Sequence, residues 1–307
     1  MRYAMTGATG FVGGELSRQL RAAGHEVVAL VRDPARATDL GVSLVRGDLD
    51  DAGALDRLCT GVDGLFHVAG WYKLGTRDPD QGRRVNVDGT RNVLDAARRA
   101  GVARVVYTST LAVNSDTDGR VVDETYHFRG RHLSVYDETK AAAHSIAASA
   151  GVIIVMPGLV YGPGDTALSG SLIRDVVAGR RVMVPSGGGV CWGYVDDIAA
   201  GHVLAMSRGV PGESYMLAGP CSTLADGLRR VAALAGSRPP MVLPRAMVAA
   251  TAPLAGLLRL RGQYAAESFR ASLATYWGTP DKAERELGWS CRPLDDGLRS
   301  TISSLRG

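Results

Sequence analysis

Along the first 160 residues, short apolar runs alternate with stretches whose apolar positions recur at helical spacing. The runs Tyr3–Met5, Glu26–Val31, Ser43–Val45, Gly64–Val68, Arg104–Thr108 and Val152–Met156 are β-branched or otherwise apolar. Each ends at or near Gly, Asp, Pro or a small polar residue, and each predicts a strand. Between them, Gly13–Ala23, Arg83–Ala100 and Tyr136–Ala150 place apolar or small residues on one helical face and then meet Gly24, Gly101 and Gly151. A glycine just past the last periodic residue is a helix stop. Strand–helix alternation of this kind builds right-handed βαβ units, so the expected class is α/β with a doubly wound parallel sheet.

The pattern changes after Gly162, where Gly and Pro become frequent and the alternation blurs. Residues 1–164 are expected to form the main domain, with 188–218 returning to it. Residues 165–187 and 219–307 are expected to form a smaller, mostly helical cap. The longest apolar stretch, Ala246–Leu258, contains Pro253 and is too short to span a bilayer. It reads as a buried or lid helix, or as a surface for a greasy ligand. The start of the chain reads as strand and bend, with no cationic head or continuous apolar run of a targeting segment.

Composition narrows the function classes. The chain has 307 residues, 46% hydrophobic and 21% charged, which suits a large folded unit and excludes disordered and fibrous classes. The 35 basic residues are scattered and the net charge is only +4, so no nucleic-acid surface is indicated. Cys59, Cys191, Cys221 and Cys291 are far apart and form no CxxC. No metal site and no dense disulfide framework are expected, and a reducing cytoplasm fits.

Two segments carry candidate chemistry. The first strand runs into Thr6-Gly7-Ala8-Thr9-Gly10-Phe11-Val12-Gly13 and then a helix. Gly7 permits a tight turn, Gly10 lets backbone approach a pyrophosphate, and Gly13 lets helix pack on strand; the helix start then offers free N–H groups to an anion. The second strand ends in Val31-Arg32 where a carboxylate would favour NAD. A guanidinium there suits a 2′-phosphate, so NADP is favoured with NAD possible; an ordinary surface arginine is the alternative. Asp48-Leu49 closes the third strand, where Asp48 would accept from the adenine amino group and Leu49 pack on its ring.

The other segment is Tyr136-Asp137-Glu138-Thr139-Lys140, which puts Tyr and Lys on one helix face. A nearby ammonium is expected to lower the phenol pKa and make Tyr136 a general acid and base. Upstream, Tyr107-Thr108-Ser109-Thr110 ends a predicted parallel strand, and ligands of open α/β sheets bind at such carboxyl ends. A hydroxyl there would polarise a substrate oxygen.

With these motifs in hand, the chain resembles the extended short-chain dehydrogenase/reductase family, the NAD(P)-dependent epimerase/dehydratase-like proteins. The resemblance rests on Gly7, Gly10 and Gly13; Asp48-Leu49; His67-Val68-Ala69-Gly70; Asn86-Val87-Asp88-Gly89-Thr90; Tyr136 and Lys140; and Val195-Asp196-Asp197. It covers about the first 200 residues in order. It implies a Rossmann-type doubly wound sheet with a C-terminal substrate-binding region. It also implies Thr110 as the catalytic hydroxyl with Ser109 beside the nicotinamide, Lys140 on the ribose hydroxyls, and Asn86 as a structural anchor. Thr9, Phe11, Val12, Val68, Ala69 and Gly70 would line the dinucleotide, and Pro157, Leu159 and Val160 would run past its carboxamide. Homodimerisation through helices near 83–100 and 132–150 is a family expectation.

Departures from the family pattern narrow the chemistry. Leu111-Ala112 stand where sugar-nucleotide dehydratases carry Asp-Glu, and Leu159 stands where epimerases often carry Asn. Val31-Arg32-Asp33-Pro34 and Met156–Pro163 look more like the dihydroflavonol-4-reductase-like branch. The expected activity is therefore an NADPH-dependent reductase of ketones or aldehydes, reversible as an alcohol dehydrogenase. Trp71, Tyr72, Leu111, Leu159 and Trp192 are candidate pocket walls. The competing readings are a nucleotide-sugar epimerase with bound NAD and a non-catalytic dinucleotide-sensing regulator.

Overall fold

The computed structural model describes residues 1–72, 78–258 and 266–306. Six strands follow the predicted runs closely: β1 (Arg2–Thr6), β2 (Glu26–Val31), β3 (Ser43–Arg46), β4 (Gly64–His67), β5 (Val105–Thr108) and β6 (Ile153–Pro157). With the strand Ser214–Leu217 at one edge they form a seven-stranded sheet. Its order is Ser214–Leu217, β6, β5, β4, β1, β2, β3, and every pairing is parallel. The order reverses between β1 and β4, which is where such a sheet opens a crevice at its carboxyl edge.

The strands are apolar throughout because both faces are covered. Alternation then sorts their side chains. Ala4, Val105, Tyr107, Ile154 and Met156 pack with Leu55, Leu58, Val93, Ala97, Ala143 and Ala147 from the helices Ala52–Cys59, Gly89–Arg99 and Val135–Ser149. Met5, Phe66, Val106, Ile153 and Val155 pack on the other face with Leu16 and Leu20 of Phe11–Ala22 and with Ile198, Ala199 and Ala205 of Val195–Arg208. A single-residue slip in any central strand would exchange these two sets, so the double-sided core also fixes register.

The C-terminal region differs in one respect from its expected, mostly helical form. It has the helices Leu168–Val177, Leu224–Ala235, Arg245–Leu257, Ala266–Leu273 and Leu294–Arg306, and also short strands. Gly189–Tyr194 pairs with Cys221–Thr223, with Thr275–Tyr276 and with Leu159–Tyr161, and Met183–Pro185 pairs with Met241–Leu243. Its own core joins Tyr161, Ile173, Val176, Tyr194, Leu228, Val231 and Leu298. The Val195-Asp196-Asp197 motif ties this region to the sheet. Asp197 accepts a two-pronged bond from Arg292 at 2.6–3.0 Å, and its carbonyl takes the Trp289 indole N–H at 2.7 Å.

Two expectations are corrected here. Trp192 is no pocket wall: it is 1% exposed in the cap core, donates its indole N–H to Ser222 Oγ, and packs against Gly227. Leu111 is 2% exposed and packs in the main core against Gly278. Cys191 and Cys221 form a disulfide between neighbouring antiparallel strands. Residues 246–258 lie in and just beyond the helix Arg245–Leu257, with Pro253 inside it; Val248 is buried, whereas Met247 and Leu258 are exposed. Among the described residues no helix is long and apolar enough to cross a membrane, and no cluster of His, Cys, Asp or Glu is arranged to hold a metal.

Candidate active site

The glycine bend is built by close approach. Gly7 has φ +79°, and a Cβ there would lie 2.6 Å from the Ala69 nitrogen. A Cβ on Gly13 would lie 2.1 Å from the Gly7 oxygen, so the first turn of the helix rests directly on the bend. Gly10 is different: a Cβ there would meet only the Gly7 oxygen, at 3.2 Å, and the residue is exposed. It is the N-cap of Phe11–Ala22, and no side chain caps that end. The first N–H groups of the helix are therefore free to meet an anion, and nothing bulky shields them. These features fit a dinucleotide pyrophosphate. Gly13→Ala is expected to cost about 2–3 kcal/mol in urea unfolding, because only backbone stands in the way. Gly14→Ala is the control, since its nearest contact is Ala8 O at 3.6 Å.

Around the bend, Thr9 is exposed, and Phe11 and Val12 are partly so, as are Val68 and Ala69 on the next loop; Gly70 is exposed. Arg32 is exposed at the end of β2, while the carboxylate of Asp33 is turned away to accept from the Ala35 nitrogen. Asp48 is exposed and accepts from the Leu49 nitrogen. Leu49 is buried against Gly89, so little of it is left for an adenine ring. Register adds a residue that sequence reasoning missed. Arg46 lies opposite Val31 and is also exposed, so β2 and β3 bring two arginines to one edge. The signal was there in the order of two adjacent parallel strands, but not in local spacing.

At the carboxyl end of β5, Thr110 caps the short turn Leu111–Asn114 through its Oγ1. Tyr136 stands in the first turn of the helix Val135–Ser149, whose N-cap Ser134 accepts from the Asp137 nitrogen at 3.1 Å. The Thr110 hydroxyl faces the Tyr136 phenol and favours its ionised form, but burial outweighs it and holds the phenol well above its usual pKa. This reverses the expected direction. Lys140 does not offset the burial: its ammonium donates to Tyr107 Oη and to the Thr108 carbonyl, both at 2.8 Å, and burial lowers it to about 7. Ser109 is buried and its hydroxyl is engaged with His144 Nδ1 at 2.9 Å, which leaves Thr110 as the hydroxyl beside Tyr136.

Two neighbours frame the opening. Tyr72 is half exposed and sets its ring edge-on to Tyr136, centroids 4.9 Å apart. Asn86 accepts from the Trp71 nitrogen at 2.7 Å and donates to the Trp71 carbonyl and to Thr139 Oγ1, pinning the loop after β4 to the helix that carries Tyr136. Asn86 lies in a π-helical turn, Arg83–Asp88, inside the stretch predicted as one regular helix. Such single wide turns are frequent at functional sites. Trp71 itself is 5% exposed and packs on Gly82, so it buttresses rather than lines the opening. Pro157 is buried; Leu159 and Val160 are partly exposed on the strand that follows it.

The chain is similar to several known proteins. The sequence profile of the NAD dependent epimerase/dehydratase family matches residues 3–218. A provisionally named dihydroflavonol 4-reductase of Synechocystis sp. is 38% identical over 229 residues, covering 69% of this chain and 66% of that protein. The 2-alkyl-3-oxoalkanoate reductase of Stenotrophomonas maltophilia is 32% identical over 340 aligned positions, covering 99% of each. Among solved structures, the UDP-glucose 4-epimerase of Thermus thermophilus in complex with NAD superposes with a TM-score of 0.80 at 25% identity, covering 100% of this chain and 99% of that one.

Proposed function

The chain belongs to the NAD dependent epimerase/dehydratase family, and from that premise we propose that it is an NADPH-dependent reductase of ketones or aldehydes, reversible as an alcohol dehydrogenase. The observation that carries the reading is the Tyr136 phenol facing the Thr110 hydroxyl, one helical turn from Lys140, at the sheet edge that also carries the uncapped glycine bend. A bound nicotinamide dinucleotide would supply or accept the hydride. Gly7, Gly10 and the N–H groups of Phe11 and Val12 would hold its pyrophosphate, Arg32 with Arg46 a 2′-phosphate, and Lys140 its ribose hydroxyls. Tyr136, kept protonated by burial, gives its proton to the carbonyl oxygen, and Thr110 orients that oxygen with a hydrogen bond. In the reverse direction the phenolate form of Tyr136 receives the alcohol proton.

Substrate selection follows from the walls. Tyr72 and Leu159 present apolar surface, and Leu159 has no group to bond a nucleotide sugar. That feature favours a moderately apolar carbonyl compound over the epimerase reading. We place the enzyme in the cytoplasm as a homodimer joined through the helices near 83–100 and 132–150. The test is an oxidation screen of NADPH against NADH across ketones, with Arg32→Ala alongside. Arg32→Ala is expected to weaken NADPH about 10-fold to 100-fold, since a charged hydrogen bond contributes about 1.5–3 kcal/mol, and to leave NADH unchanged. Purified protein that retains NAD and consumes no NADPH would support epimerisation instead.

A further inference from the structure

The polar groups behind Lys140 form a layer that the catalytic reading leaves unused. Two of the three ammonium hydrogens are taken by Tyr107 Oη and the Thr108 carbonyl, and Nζ would lie 4.0 Å from a Cβ added at Gly70. Nζ also stands 4.6 Å above the Tyr107 ring centre. Tyr107 is wholly buried, and the Thr90 hydroxyl faces its phenol. Thr90 Oγ1 bonds His67 Nε2 at 3.0 Å, and His67 Nδ1 bonds Thr6 Oγ1 at 2.7 Å. Thr6 Oγ1 accepts from the Ala69 nitrogen at 3.2 Å, the same nitrogen on which Gly7 rests. A row of buried groups thus runs from Lys140 to the glycine bend.

Tyr107 Oη accepts from the ammonium, and the Thr90 hydroxyl beside it favours the ionised phenol. Thr90 Oγ1 and Thr6 Oγ1 engage the two nitrogens of the His67 ring. We infer that Tyr107 is a positioning residue that acts through Lys140: its phenol oxygen fixes the ammonium, and the Thr90–His67–Thr6 row behind it holds that phenol in place. This inference rests on the catalytic assignment of Lys140 given above.

What faces Lys140 makes the phenol oxygen decisive. Tyr107 of β5 and His67 of β4 approach from the sheet; Tyr136, Asp137 and His144 share its helix. His67 and His144 are kept neutral by burial, lowered to about 3 and about 4. The Asp137 carboxylate accepts from Tyr276 at 3.4 Å. The two acceptors on the Lys140 ammonium, Tyr107 Oη and the Thr108 carbonyl, are both uncharged.

The chain holds three lysines, Lys73, Lys140 and Lys282, so 13Cε-lysine NMR of the ligand-free protein resolves each titration. Tyr107→Phe keeps the ring above Nζ and removes only the oxygen. Its Lys140 midpoint is expected to fall by about one pH unit, equivalent to about 1.4 kcal/mol, with Lys282 unmoved. An unmoved Lys140 midpoint would overturn the inference. Should Tyr107→Phe fail to fold, Thr90→Val is nearly isosteric and is expected to shift the same midpoint in the same direction by less; no shift there overturns it equally. The titration requires no turnover. A parent protein that oxidises no NADPH would sink the reductase reading and still give the Lys140 midpoints.

Discussion

Tyr136→Phe is expected to lower carbonyl reduction by about 10²-fold to 10⁴-fold, the usual contribution of a positioned general acid. The substitution deletes one oxygen and keeps the ring, so the edge-on contact with Tyr72 and the helix cap at Ser134 remain. Dinucleotide affinity should change little, because Tyr136 is one of many groups along the crevice. Burial keeps the phenol protonated through neutral pH, so the parent enters reduction with its proton in place. The measurements are NADPH consumption at saturating ketone and NADPH fluorescence titration of the same variant. Turnover within a few-fold of the parent would remove Tyr136 from the chemistry. Normal binding, no turnover and an undiminished biological effect would point to dinucleotide sensing instead.

The sequence made the sheet readable because each strand is a short apolar run stopped by a glycine, an acidic residue or a small polar residue, and because both faces of the sheet are buried. The glycine bend was readable for a related reason. Gly7 and Gly13 meet backbone at distances no Cβ tolerates, so their identity carries their geometry. Features set by remote partners were hidden. Tyr136 and Lys140 share a helix face, but the lysine reaches for two acceptors on β5, and nothing in an i, i+4 spacing reveals that. The π-turn at Arg83–Asp88 has the side-chain pattern of an ordinary helix.

Apolar residues posed a different problem. Leu111 and Trp192 have the chemistry of a pocket wall and of a core residue alike, and packing alone decides between them. The cap strands are three to six residues long in Leu159–Tyr161, Gly189–Tyr194 and Cys221–Thr223, and their partners lie tens of residues away. The Cys191–Cys221 bond belongs to the same class, being a consequence of antiparallel register and not of spacing.

Stability is expected to collapse on mild acidification, driven by three histidines buried without charge. His67 is lowered to about 3, and His144 and His202 to about 4, chiefly by burial, with the Lys140 ammonium adding to the first two. Each ring is satisfied in its neutral form. His202 donates Nδ1–H to the Ile198 carbonyl at 2.7 Å and accepts from Thr108 at its other nitrogen. In the unfolded chain a histidine titrates near ~6.5, so between that pH and the folded values the unfolded state binds more protons. The stability these groups confer is full above about pH 6.5 and is lost as pH falls. Each histidine contributes a slope of about 1.4 kcal/mol per pH unit, and three together about 4. A domain with a typical stability of about 5–15 kcal/mol would then unfold cooperatively a few units below neutrality. Urea melts at pH 7, 6 and 5 measure the slope directly. His202→Gln should reduce that slope by about one proton, because a glutamine does not charge in the unfolded chain. A slope near zero between pH 6 and 5 would show that the rings are charged or solvated in the native state, and the buried hydrogen-bonded arrangement behind the sheet edge would have to be abandoned.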